Sequence, residues 1–350
     1  MTAVTQNKPS TPNLRNNMTL PFDTAPITDA PDMTLITSNR NTIKDCLPDI
    51  ENIYLLPIKD ELQDLYPSLL LADKSALELL TQVPSTLRSI NIKELMKPIS
   101  TLEAQPQTPE VKVALNDYET EIKTQINSVL SALHQRTQML EDHLHGLNSI
   151  EPGDVTDFIT EIDRKISSTR GTLDEMDTAY GQLQEQENVL STAMQAMEAQ
   201  NLIDEVLPLF EIITKADPKN PALSAVRSAA ILLQNTLRIG SDAIKYHTML
   251  GRRDELQTLM NERQVQRLEH RSSLNELLRR QRQLKAVRTL SQSKASYIAQ
   301  LRKITTRMNI FLNYQRDELK GDVASYSAVF ADQADRLASH LSDLRKSWKN

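Results

Sequence analysis

Apolar residues recur at helical spacing along most of this chain. Between residues 151 and 200, Val155, Ile159, Ile162, Ile166, Leu173, Met176, Tyr180, Leu183, Leu190, Met194 and Met197 alternate by four and three positions, with Thr169 and Glu187 as the breaks. A seam sustained over about six heptads predicts a long coiled-coil helix. From Glu110, the run Val111, Leu115, Tyr118, Ile122, Ile126, Val129, Leu133, Leu140, Leu144 and Leu147 predicts another long helix. The stretch "NSIEPGD" stops it, and Asp154 is placed to cap the next. Tyr297, Leu301, Ile304, Met308 and Phe311 form a later seam. Val323, Tyr326, Phe330, Ala334, Leu337, Leu341, Leu344 and Trp348 form the last, with Gly321 as a bend between the two.

The N-terminal part is less regular. Residues 1–34, rich in Thr, Asn and Pro, read as disordered or loosely ordered. From Ser38 to about Met96 the pattern gives short helices ended or kinked at Pro48, Pro57, Pro67 and Pro84. "KPISTLEAQPQTPE" reads as a linker.

Between the two long polar helices lies the segment "LIDEVLPLFEIITKADPKNPALSAVRSAAILLQNTLRIG", Leu202 to Gly240. Its first arm carries Leu202, Ile203, Val206, Leu207, Leu209, Phe210, Ile212 and Ile213. Its second carries Leu223, Val226, Ala229, Ala230, Ile231, Leu232, Leu233, Leu237 and Ile239. Asp217, Pro218 and Pro221 supply the turn, and Pro208, Gly240 and Gly251 are candidate hinges. A helix of about nineteen residues spans about 28 Å, near the thickness of a bilayer's hydrocarbon core. The apolar residues named are therefore the candidate membrane-inserting set. Charges such as Asp204, Glu211, Arg227 and Arg238 suit a ring of hairpins around a wet lumen better than a lone span. The alternative is a helical cap whose apolar faces pack on one another, and the two readings serve as successive states of one segment.

Composition narrows the fold. Only 7 of 350 residues are glycine, none precedes Gly146, and no proline follows Pro221. Turn-rich β folds and doubly wound sheets need more punctuation than this. The expected fold is all-α: an elongated helical bundle with a long antiparallel coiled-coil stalk and an apolar hairpin head. The tail bundle is expected from residues 35–150 and 313–350, the stalk from 151–200 and 241–312, and the head from 201–240.

Charge sets the pairing of the stalk helices. Residues 151–200 hold 11 acidic and 3 basic side chains, a balance of −8, and residues 252–303 hold 13 basic and 5 acidic, a balance of +8. Folding at the turn brings Asp154 opposite the neighbourhood of Arg282, so Asp154, Asp157 and Glu161 are expected to pair with Arg279, Arg280 and Arg282. Each exposed pair contributes about 0–1 kcal/mol, but the summed pattern disfavours other arrangements.

Other chemistry finds little support. A formal charge of −6 gives no overall basic excess for nucleic acid. The run Arg279, Arg280, Arg282, Lys285 and Arg288 could grip phosphate, but the acidic helix is its better mate. His143 and His145, two apart, point to different helix faces and make no metal pair. There is no P-loop, Gly-rich cradle or G-x-S-x-G. No catalytic residue, metal or cofactor is expected, and an enzyme is disfavoured. The lone Cys46 excludes an internal disulfide framework. The N-terminus lacks an apolar signal core, so the expected route is release without a signal peptide, as a soluble monomer that later meets a target-cell membrane.

The proline-broken helical start, the antiparallel stalk and the apolar hairpin together resemble the alpha-helical pore-forming toxins. The likeness is to the B components of alpha-xenorhabdolysin-type binary cytotoxins, over roughly residues 40–350. That resemblance implies a second toxin component (an A subunit) bound alongside, ring assembly with further copies of this chain, and insertion of the hairpin into a target-cell bilayer. The rival reading is a coiled-coil scaffold or membrane-surface tether. Such a protein has no use for two helix-long amphipathic arms joined by a tight turn.

Overall fold

The computed structural model describes residues 30–90, 92–106, 108–198, 242–318 and 323–348. Every regular element among the described residues is helical, so the fold is all-α. The helices are α1 (Met33–Glu51), α2 (Leu56–Leu62), α3 (Leu65–Ser89), α4 (Ile92–Glu103), α5 (Pro109–Ser149), α6 (Thr156–Glu198), α7 (Asp242–Glu318) and α8 (Val323–Trp348). The chain divides into two compact units. The first comprises residues 1–153 and 286–350, the second residues 154–285. The expected tail and stalk divided at 313, whereas the compact units divide at Ala286, within α7.

Local signals explain the helix starts. Asp32 caps α1 by accepting from the Leu35 amide at 3.0 Å. Thr108 caps α5, with Pro109 and Glu110 in its first turn. Pro57 and Pro67 stand in the opening turns of α2 and α3. Pro48 and Pro84, expected to end or kink helices, instead lie inside α1 and α3. Pro84 is buried among Leu80, Val83 and Leu87, and packing there offsets the lost backbone bond. The expected linker is shorter than its proline content suggests, because α4 continues through Pro98 to Glu103.

In the first unit, α5 and α8 both pack on α3, and α4 packs on α5 and α8. The core takes Leu65, Leu69, Leu79 and Leu80 from α3, Ile122, Ile126 and Leu133 from α5, and Tyr297, Phe311 and Leu312 from α7. Phe330 of α8 lies 6.2 Å from Phe311 and 6.0 Å from Tyr326, centroid to centroid. Every position of the two C-terminal seams is buried.

Several polar groups inside this unit are paired. The Tyr297 hydroxyl donates to Asp73, Asp73 lies 3.6 Å from Arg40, and the Arg40 guanidinium stands over the Trp348 ring at 5.6 Å. Burial and the Asp73 carboxylate push the Tyr297 phenol far above its ordinary value, so it remains a donor. The buried Lys294 ammonium donates to the Asn148 carbonyl at 3.3 Å and to the Ile150 carbonyl, occupying acceptors at the end of α5. Glu61 accepts from the Gly153 amide at 3.2 Å, so the chain leaving α5 is held at two points.

Candidate functional site

Among the described residues, the second unit is α6 with residues 242–285 of α7. Asp154 accepts from the Thr156 amide at 2.9 Å and from its hydroxyl at 2.6 Å, which starts α6. The seam expected along α6 faces inward. Val155, Ile159, Ile162, Ile166, Leu173, Leu183, Leu190 and Met194 are buried, and Thr169, Met176, Tyr180 and Glu187 are half-buried. The side chain of Met197 lies outside the described residues.

The two helices run antiparallel in one register. Glu198 accepts from the Tyr246 hydroxyl, Glu187 from Gln257 at 3.5 Å, and Asp163 from Gln281. The Tyr180 hydroxyl donates to Gln264 at 3.4 Å, and Arg267 pairs with Asp177. In each pair the two residue numbers total 444, so the register holds without a slip from one end of the unit to the other. Leu190, Ala193 and Met194 pack with Met249 and Leu256 where the helices meet the segment between them.

Antiparallel pairing of an acidic with a basic helix is therefore present, but its register differs from the one that charge suggested. Arg282 stands level with Ile162, about two turns from Asp154. A cross-helix ion-pair site lies at Asp177, which takes Arg267 and, at 3.3 Å, Arg271. The Arg267 guanidinium also lies over the Tyr180 ring at 4.3 Å. Hydrogen bonding from Arg267 holds the Asp177 carboxyl below its usual range. Glu161 is engaged within its own helix by Arg164 and Lys165, whose hydrogen bonds bring it to about 2. Arg279 and Arg280 engage Glu276, likewise brought to about 2. Asp157 stays exposed.

A second seam, missed in the sequence, lies on α7. Met249, Arg253, Leu256, Met260, Arg263, Arg267, His270, Leu274, Leu277, Gln281 and Leu284 alternate by four and three, and each is buried or half-buried. Arginine, histidine and glutamine occupy five of these eleven positions, so a search for apolar spacing passes over it. The spacing itself was the available signal. Long Arg side chains can lie along a seam with their stems covered and their heads near water.

Of the candidate hinges, Gly251 is exposed within the continuous helix α7, and an added Cβ there would meet nothing within 4 Å. Pro208, Gly240, the turn residues Asp217, Pro218 and Pro221, and all the candidate membrane-inserting residues from Leu202 to Ile239 lie outside the described residues. Among the described residues no helix is long and apolar enough to cross a membrane, and no group of acidic, histidine or cysteine side chains could hold a metal. His143 meets the Ser75 hydroxyl, and His145 is exposed.

This assembly of helices is the fold of the B components of alpha-xenorhabdolysin-type toxins. PaxB from Photorhabdus luminescens superposes with a TM-score of 0.72 at 13% identity, over 91% of this chain and 97% of PaxB. XaxB from Xenorhabdus nematophila gives 0.68 at 15% identity, over 91% and 98%. A chain of the XaxAB pore complex from the same organism gives 0.68 at 13% identity, over 90% and 99%. No family model matches the chain, and no curated protein matches it in sequence. The likeness is one of fold.

Proposed function

We propose that the protein is one component of a two-component pore-forming cytolysin. It binds a second helical component at a target membrane, assembles with further copies into a ring, and inserts residues 202–239 as a helical hairpin. The observation that carries this reading is the shared fold with XaxB and with a chain of the XaxAB pore complex over nine-tenths of this chain.

Two further observations support it. The most apolar stretch of the sequence joins α6 to α7 at the end where Glu198 meets Tyr246. The register of the paired helices has its midpoint at residue 222, beside Pro221, which favours Asp217, Pro218 and Pro221 as the turn. Insertion then follows ordinary energetics. Apolar area moved out of water returns about 25 cal/mol per Å², and charged side chains face the lumen of a multi-subunit ring. A second component drives the change to the extent that it binds the inserted state better than the soluble one.

Dye release from liposomes tests the reading. The expected result is weak release by the protein alone and rapid release when it is mixed with a helical partner encoded in an adjacent reading frame. Replacing residues 202–239 by a short polar loop should abolish release while far-UV circular dichroism keeps its helical form. Undiminished release by that variant would rule the mechanism out.

A further inference from the structure

Within the first unit, α3 and α8 flank an open groove of about 700 Å³, a volume that suits a small molecule. The helices pass antiparallel there. Arg88 donates to the Ser339 hydroxyl at 3.3 Å, and further along α8 Ser342, Arg345 and Lys346 come to face Thr81 and Ser85. Thr81, Ser85 and Arg88 follow helical spacing on one wall, and Ser342, Arg345 and Lys346 follow it on the other. Three cations therefore share a single groove with several hydroxyls.

The local carboxylates leave part of that charge unmet. Asp343 takes Lys346 at 2.8 Å, and Asp335 reaches Arg88 only at 4.0 Å. Arg345 has no ion pair among the described residues, and its Nε is buried without a hydrogen-bond partner. Its place in the last turn of α8 accounts for a positive charge there. It does not supply the Arg345 guanidinium with a counter-ion.

We propose that this groove binds a phosphate-type oxyanion, the head of a phosphomonoester. Arg345 anchors it, Arg88 and Lys346 supply the second and third cations, and the Thr81 and Ser85 hydroxyls donate from the facing wall. Guanidinium forks match the tetrahedral oxygens of phosphate, and charge-assisted bonds of this kind are the stronger ones. The proposal does not rest on the pore reading.

The test is calorimetric titration of inorganic phosphate into the full chain, with thermal unfolding in phosphate and in chloride at matched ionic strength. The expected result is saturable binding and a phosphate-specific rise in the unfolding midpoint. Arg345→Gln should weaken binding at least tenfold with helicity intact. If that variant fails to fold, Arg88→Gln and Lys346→Gln, whose side chains are half or more exposed, should each weaken it several-fold. Vesicles of phosphatidylcholine with and without phosphatidic acid separate the two sources of the group. Saturable binding of free phosphate that Arg345 controls assigns a soluble phosphomonoester. Arg345-dependent binding to phosphatidic acid vesicles alone assigns a lipid headgroup. Equal phosphate binding by wild type and all three variants, or no Arg345-dependent binding to either probe, overturns the proposal.

Discussion

The two units of this chain solve the same problem, burying helix faces, in different ways. The first surrounds Tyr297, Phe311 and Phe330 with several helices and pairs several of its buried polar groups in specific networks. The described residues of the second form two helices, and their seam alternates short apolar clusters with Thr169, Glu187, Arg253, Arg263, Arg267, His270 and Gln281. Apolar packing fixes the first unit, while register-setting polar contacts and a thin core hold the second. Solvent-exposed polar pairs are a feature of regions that open at low cost. The unit built in that way is the one from which the proposed inserting segment emerges.

This contrast is open to attack by mutation. Phe330→Ala should have the largest effect, destabilising the first unit by about 3–5 kcal/mol through cavity formation. Trp348 is the only tryptophan and is buried in that unit, so its fluorescence during urea unfolding reads the change directly. Leu190→Ala, in the apolar cluster of the second unit, should cost about 2–3 kcal/mol. Circular dichroism should detect this loss while the Trp348 transition stays where it was. A Trp348 midpoint that falls equally in both variants would mean that the units do not differ as described.

Acid should separate them next. Burial, and then the Arg307 guanidinium that donates to it at 2.8 Å, hold the His340 imidazole below 6.5, with Asp343 opposing weakly. The unfolded chain therefore binds the proton first. Stability from this group is present above about pH 6.5 and is lost as pH falls through the folded value. The Trp348 midpoint should drop between pH 7.5 and 5.5, and His340→Gln should flatten that dependence. In the second unit, Glu161 and Glu276 stand at about 2 against 4.5 unfolded, so their contribution fades only as pH falls from about 4.5. The smallest expected effect is at Gly251, exposed in α7 with open space around its missing Cβ. Gly251→Ala should stabilise the second unit by about 0.5–1 kcal/mol, measured by circular dichroism.

Much of this fold was legible because its helices are long and their seams apolar. The α6 seam and both C-terminal seams could be read position by position, since burial there follows from spacing alone. The α7 seam in the second unit could not, because Arg253, Arg263, Arg267 and His270 occupy places where apolar residues were sought. Charge balance gave the antiparallel sense of the pair but not its register. Glu161 and Glu276 find cations on their own helices, while Asp177 makes a cross-helix pair. Pro84 misled because a buried proline can be carried within a helix when its neighbours pack around it, and the exposed Pro48 lies only three residues before the end of α1. The candidate inserting residues are defined by sequence, and their test lies at a membrane.

That test is a fluorophore placed on the segment itself. With Cys46 replaced by alanine, Leu232→Cys can carry an environment-sensitive label, and liposomes can carry a quencher confined to the acyl chains. Adding the second component should shift the emission to the blue and bring strong quenching at this position. A matching label on Asp117→Cys, within α5 of the first unit, should remain unquenched. If dye is released while the Leu232 label stays in water and beyond the quencher, residues 202–239 are not what enters the membrane.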